Sequence, residues 1–267
     1  MRPRVMGLLA GTIVLAVAVP AAAQFVPSDP GDYDRVRAGA SFWRGPIDGT
    51  LRLREIDELF PNGLDLDETL GLTGAEQGWL LEANLAAARR HRFLFSASQR
   101  EHGSATRLTD DLVGGLPVSF ELDVEAALRI EELRGHYNVL VLANDVAELG
   151  LLVGAGYFQV DASLDTNFGG VGAVLDTPYP SVGGNLLVGQ RGPIRGYVEI
   201  TGFPKVEVDD LSGWLLDALF RVEVFPIPNV GGFIGYRQYR ILLEEVPSEI
   251  EVDVRWRGVI VGALVRF

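Results

Sequence analysis

Between Trp214 and Val224 every second residue is apolar: Trp214, Leu216, Ala218, Phe220, Val222 and Val224. The residues between them are Leu215, Asp217, Leu219, Arg221 and Glu223. A period of two predicts a β-strand with one apolar and one largely charged face. The division recurs along the chain. Trp79, Leu81, Ala83, Leu85 and Ala87 alternate with Leu80, Glu82, Asn84, Ala86 and Ala88, and Val36, Ala38, Ala40 and Phe42 with Arg37, Gly39 and Ser41. Leu133, Gly135, Tyr137, Val139 and Val141 oppose Glu132, Arg134, His136 and Asn138. Ten strands are predicted, roughly 34–44, 77–88, 91–103, 122–143, 148–163, 181–189, 195–202, 213–226, 231–243 and 251–267.

A soluble sandwich also alternates, but its apolar face points to a core and its polar face to water. Here the polar faces carry both charge signs and many glycines. That composition suits a narrow lumen, with the apolar face turned outward to lipid. The connections agree. Short links at 88–91, 143–148, 189–195 and 226–231 alternate with longer ones at about 45–76, 104–121, 164–180, 203–212 and 244–250. Short periplasmic turns and long outer loops are the pattern of an all-β, antiparallel, up-and-down transmembrane barrel. An even count of ten puts both termini on the periplasmic side. Two places leave eight or twelve strands open or disturb the pattern. Thr50–Glu55 alternates, and would pair with strand one above the membrane or form a strand of its own. Near Glu131 and Glu132 the apolar phase slips, with Ala126, Leu128 and Ile130 on the opposite parity from Leu133 and Val139. Either a bulge or the exit from lipid into a protruding hairpin accounts for the slip.

Composition sharpens the reading once the N-terminus is set apart. Residues 1–23 have two arginines (Arg2, Arg4), an apolar run from Met6 to Val19, and Ala21-Ala22-Ala23 before Gln24. This is the pattern of a cleaved secretory signal peptide. Residues 24–33 would be a short periplasmic segment and 34–267 the barrel. The 267-residue chain has no cysteine and a net charge of −13, from 23 basic and 36 acidic residues. Without Arg2 and Arg4, 21 basic residues remain and the charge becomes −15. Disulfide frameworks and thiolate metal sites are excluded, and the acidity argues against nucleic-acid binding. Lys205 is the only lysine of the chain.

The chain ends with Val259, Val261, Ala263, Val265 and Phe267 on one parity. Here it resembles bacterial outer-membrane β-barrel proteins, whose last strand ends in phenylalanine behind alternating apolar residues. The resemblance implies an assembly signal at those five residues, read by the barrel-assembly machinery, and a location in the bacterial outer membrane. The chain also looks like a group of uncharacterised small barrels that share an early tryptophan, a Leu-Gly-Leu (Leu70-Gly71-Leu72) and a Gly-Tyr-Arg (Gly235-Tyr236-Arg237). That resemblance implies fold and location and no activity.

A barrel of this size is filled by its own side chains, which disfavours a general porin. The expected inward set is Arg37, Glu82, Arg100, Glu132, Arg134, His136, Glu199, Asp217, Arg221, Glu223, Arg237 and Arg266. Interleaved carboxylates and guanidiniums read as an ion-pair network; the alternative is an ion path or narrow selective channel. One pair suggests catalysis. His102-Gly103-Ser104 resembles the His-x-Ser of outer-membrane lipid A deacylases, yet parity places His102 on the inner face with Arg100, away from acyl chains. An omptin-type Asp/His rim cannot be assembled from His91, His102 and His136. Acidic loop residues (Asp57, Glu58, Asp65, Asp67, Glu68, Asp110, Asp111, Asp209, Asp210, Glu244, Glu245) lack the spacing of a calcium loop, so no metal and no cofactor is expected. The expectation is a monomeric envelope barrel with a structural or surface-binding role, in contact with outer-membrane lipid and lipopolysaccharide.

Overall fold

A computed structural model describes residues 34–52, 64–66, 76–108, 122–166, 169–190, 192–208, 211–245 and 250–267. The signal segment, residues 24–33, Leu53–Glu55, the Leu70-Gly71-Leu72 motif and the acidic residues Asp57, Glu58, Asp67, Glu68, Asp110, Asp111, Asp209 and Asp210 lie outside the described residues.

The described chain is all strand: β1 (Val36–Gly45), β2 (Ile47–Arg52), β3 (Leu64–Asp65), β4 (Glu76–Ala88), β5 (His91–Leu108), β6 (Leu122–Ala143), β7 (Ala147–Thr166), β8 (Gly169–Val188), β9 (Ile194–Val208), β10 (Leu211–Ile227), β11 (Val230–Glu245) and β12 (Ile250–Arg266). Each of β4 to β12 pairs antiparallel with its neighbour, and β1 joins β4 to β12, closing a ten-stranded barrel. Closure leaves no free edge around the lipid-level ring. At the seam, the Arg35 and Val36 amides donate to the Phe267 carbonyl, and the Phe267 amide donates to Val36. The two ends of the barrel chain therefore meet at the short-turn end, as an even strand count requires.

The two extra strands resolve the status of Thr50–Glu55 as far as Arg52. β2 continues the pairing of β1 with β12 in the same register, Arg44 opposite Val259 and Ile47 opposite Trp256, after an interruption at Gly45-Pro46. Strand one is thus lengthened rather than doubled, and β3 adds a two-residue bridge to β2.

Outward positions at the short-turn end form an apolar belt: Phe42, Phe93, Phe95, Val153, Val182, Phe220, Val222, Ile234, Val259 and Val261 are all more than 40% exposed. A continuous belt of this extent is a surface that lipid solvates and water does not. Farther along, the strands exceed what a membrane needs. β6 has 22 residues and β7 has 20, about twice the 9–11 of a spanning strand. In this projecting part the two faces exchange character. On β6, His136, Arg134 and Glu132 point inward below, but Ile130, Leu128 and Ala126 point inward above, while Glu131, Arg129 and Glu125 turn out. β7 does the same with Val160, Ala162 and Leu164 inside and Gln159, Asp161 and Asp165 outside. The pairing of β6 with both neighbours runs unbroken through Glu131 and Glu132. The phase slip is therefore the exit from lipid and not a bulge: the same backbone alternation serves opposite solvents at its two ends.

The expected strand boundaries are corrected at the long-connection end. β8 begins at Gly169 instead of 181, and β7 and β8 pair through Thr166 opposite Gly169. Gly169, Gly170, Pro178 and Pro180 read as loop residues, but they occupy a hairpin whose far side is unpaired. β8 meets β9 only from Val182 to Val188. The Gly189 amide donates to Val146 on the β7 side, so alternation turns the nitrogens of the even residues away from β7. Pro178 and Pro180 consequently lose no ladder bond, as at the unpaired edge of a sheet where proline is tolerated.

Candidate functional site

All twelve expected lumen residues sit on inward positions, and the structure sorts them into layers. At the short-turn end Arg92 pairs with Glu148 at 2.6 Å, Gln190 donates to the same carboxylate, and Arg195 reaches Asp34 at 2.8 Å. Arg266 also faces this rim, its Nε donating to the Pro228 carbonyl at 2.6 Å.

The next layer joins Arg37 and Arg221 to Glu223, and Arg221 to Glu82 at 2.7 Å. The Tyr197 ring lies under both guanidiniums, and its hydroxyl donates to Glu199.

Above it lies the densest layer. Arg237 donates Nε and Nη2 to the two oxygens of Asp217 at 2.8 and 2.6 Å, a bidentate pair. Arg134 adds 2.7 Å to Asp217 and donates to Thr201 at 3.0 Å. Glu132 accepts from the Tyr179 hydroxyl at 2.5 Å and from Arg100 at 3.4 Å. His136 shares a 2.8 Å hydrogen bond with Ser181.

Across the two middle layers, Arg37, Arg100, Arg134, Arg221 and Arg237 face Glu82, Glu132, Glu199, Asp217 and Glu223. The signs therefore balance where bulk water has little access. Balance matters because an unpaired ion in such a site costs several kcal/mol.

The charged layers end at an aromatic collar. Trp43 and Trp256 stack at 4.3 Å, and the Trp256 indole N–H donates to the Gly45 carbonyl at 3.0 Å. The Arg100 guanidinium sits 3.8 Å from the Tyr239 ring centroid and 4.8 Å from Trp43. Phe158, Tyr179 and Phe203 continue the ring with centroid spacings of 5.5 and 5.2 Å. Beyond the collar, inward positions are mainly apolar: Leu128, Ile130, Val160, Leu175, Leu215, Ile241, Leu243, Val252 and Val254, all buried. A space of about 50 Å³ remains beside Glu82, Glu199, Arg134 and Arg221. It suits ordered water and is far too small for an organic ligand.

Glycines opposite the large rings make this packing fit. A Cβ on Gly156 would lie 2.3 Å from Tyr179 Cζ. Gly156→Val should therefore displace Tyr179 from Glu132 and lower stability by about 1–3 kcal/mol, read as a reduced urea midpoint of the folded, heat-modifiable form.

His102 and Ser104 share the inner face of β5. His102 is buried, its ring edge-on to Trp256 at 4.7 Å, well inside the wall and away from the apolar belt. His91 lies at the short-turn end with Nδ1 2.6 Å from the Tyr137 hydroxyl. The three imidazoles are thus dispersed, and among the described residues no cluster could hold a metal ion. Sequence reasoning missed Arg92, Glu148, Arg195 and the collar aromatics. Arg92 was legible from parity, whereas Trp43 and Trp256 were visible only as inward members of strands whose partners were unknown.

No family model matches the chain, and no curated protein matches it. Among solved structures, the outer-membrane protease OmpT of Escherichia coli is similar at 9% identity and a TM-score of 0.56, over 86% of this chain and 97% of that one. The attachment invasion locus protein Ail of Yersinia pestis (13% identity, 87% and 99% covered, TM-score 0.38) and the translocator domain of the autotransporter NalP of Neisseria meningitidis (12%, 98% and 98%, 0.41) also match. The likeness to OmpT is one of fold: a ten-stranded barrel of the outer-membrane type.

Proposed function

We propose that this chain is a bacterial outer-membrane barrel whose lumen is sealed and whose work is done by its outer wall, as a structural and surface-binding element of the envelope. The observation that carries this reading is the sequence of layers inside: a charge-balanced network, an aromatic collar and, beyond it, mainly apolar buried side chains. Side chains packed this way leave about 50 Å³ beside Glu82, Glu199, Arg134 and Arg221, room for ordered water rather than for a transported solute. The strands that project past the apolar belt then supply the feature exposed to the outside, a rigid β-wall with a polar outer face. Export by the N-terminal signal, recognition of the Phe267 strand by the assembly machinery and a monomeric state belong to the same reading.

The alternatives of a narrow channel and of a His102/Ser104 deacylase have less support. The first needs a path through the collar, and the second needs a buried imidazole to meet an acyl chain on the opposite face of the wall. The refolded protein should show no single-channel steps in planar bilayers. Reproducible unitary conductance would overturn the sealed-lumen reading.

A further inference from the structure

Outside the barrel, charge is distributed unevenly around the projecting wall. Among the described side chains, the outward acids of β5–β8 (Glu101, Asp123, Glu125, Glu131, Asp161, Asp165 and Asp176) outnumber the basic ones, and Arg129 there is already tied to Glu131 and lies 3.5 Å from Glu101. Across the barrel the balance reverses. Arg44, Arg257, Arg255 and Arg240 lie on the adjacent strands β1, β12 and β11. The register makes them contiguous: Arg44 opposes Val259, two residues from Arg257, and Arg240 opposes Arg255, again two residues from Arg257. Diagonal neighbours of this kind are about 7–8 Å apart, within joint reach of one anion for long side chains. Arg240 holds Asp253 at 3.2 Å, whereas the carboxylate contacts of Arg257 and Arg255 are loose. Arg257 is 3.9 Å from Asp48 and Arg255 is 3.9 Å from Asp253, with side chains 60% and 49% exposed.

Height on the wall identifies the ligand. Arg257 stands two residues above the exposed Val259 and Arg44 two above the exposed Phe42, so the cluster begins where the apolar belt ends. Lower on the wall and to one side, a shallow outer groove of about 430 Å³ runs over β8–β12, meeting the strands of the cluster at Tyr236 and Val259 and lined further by Val188, Val198, Phe220 and Ile234. Guanidiniums grip phosphate with paired, charge-assisted hydrogen bonds. An arginine cluster above an apolar groove matches an amphiphile with a phosphorylated head and acyl chains.

We infer that Arg44, Arg257 and their neighbours Arg240 and Arg255 form a binding site for the phosphorylated headgroup of an outer-leaflet lipid, with an acyl chain in the groove below. The site rests on the outer-membrane reading and makes it one-sided: lipid is held on the β11–β12–β1 flank, and the acidic β5–β8 flank stays free of it.

The test uses folded protein purified from outer membranes in mild detergent, with native mass spectrometry scoring bound lipid during titration with purified lipopolysaccharide. Arg44→Gln/Arg257→Gln should weaken binding at least about tenfold, while Arg129→Gln on the opposite flank leaves it unchanged. Lipopolysaccharide stripped of its lipid A phosphates should bind the unaltered protein as weakly as intact lipid binds the double variant. Equal binding by the double variant would refute the site. Competition by millimolar inorganic phosphate alone would reassign it to free phosphate and refute the lipid. Heat-modifiable mobility of every variant reports separately on the barrel, so a failure of the outer-membrane reading is distinguishable from a failure of the site.

Discussion

Asp217→Ala should be among the most damaging single substitutions in the chain. The carboxylate receives both donors of Arg237 and one from Arg134, and the two arginine side chains are 1% and 4% exposed. Removing it leaves two buried guanidiniums sharing Glu132, no nearer than 3.6 Å, with room beside them for little more than an ordered water, and breaking one side of a buried ion pair costs about 3–5 kcal/mol. The measurement is the urea concentration at which half the protein loses its compact, heat-modifiable gel mobility. A second variant separates charge balance from packing. Asp217→Leu/Arg237→Met removes one charge of each sign and keeps apolar volume, so it should recover most of the loss. Should the double variant be as unstable as the single one, balance of charge would not be what holds this layer, and the bidentate geometry itself would be required.

Trp256→Ala should cost a similar amount for a different reason. The indole is fully buried, stacks on Trp43, contacts the edge of His102 and donates to the Gly45 carbonyl. Its removal opens a cavity at the junction of the charged network and the apolar plug, and aromatic-to-alanine changes in cores cost about 3–5 kcal/mol. Phe42→Ala is the control, because Phe42 is 71% exposed on the outer face of β1. Measured in the same detergent, the outer substitution should be far milder. Comparable losses would mean that the barrel is held by its outer belt and that the interior plug is incidental.

These two expectations fall at positions of unequal legibility. Asp217, Arg237 and Arg134 were assigned to the interior from the chain alone, since each alternates with apolar neighbours and the strand period leaves only two faces. What alternation cannot supply is the partner. Arg237 lies on β11, Asp217 on β10 and Arg134 on β6, and whether their heights coincide depends on the stagger of a closed barrel. Trp256 was less legible. Its parity is the inward one of Arg266, but the apolar Val252 and Val254 share it, and only the exchange of polar and apolar faces above the membrane accounts for an apolar run pointing inward there. The same reversal hid the length of β8, whose glycines and prolines resemble a loop until the unpaired flank beside β9 is seen.

The alternation along the chain by itself predicted an up-and-down barrel built of strands, counted as ten with eight and twelve left open, with both ends of the barrel on one side and twelve of the residues that point inward. Those properties follow from a period of two and an alternation of link lengths, which are local and survive without knowledge of neighbours. Only the tertiary structure decided that strand one continues into β2, that the phase slip at Glu131 is a change of solvent, that buried apolar side chains point inward beyond the collar, and that arginines from three strands gather on one outer flank. Each depends on register and on which residues share a height along the barrel axis, quantities that arise when the sheet closes on itself and that no single strand encodes.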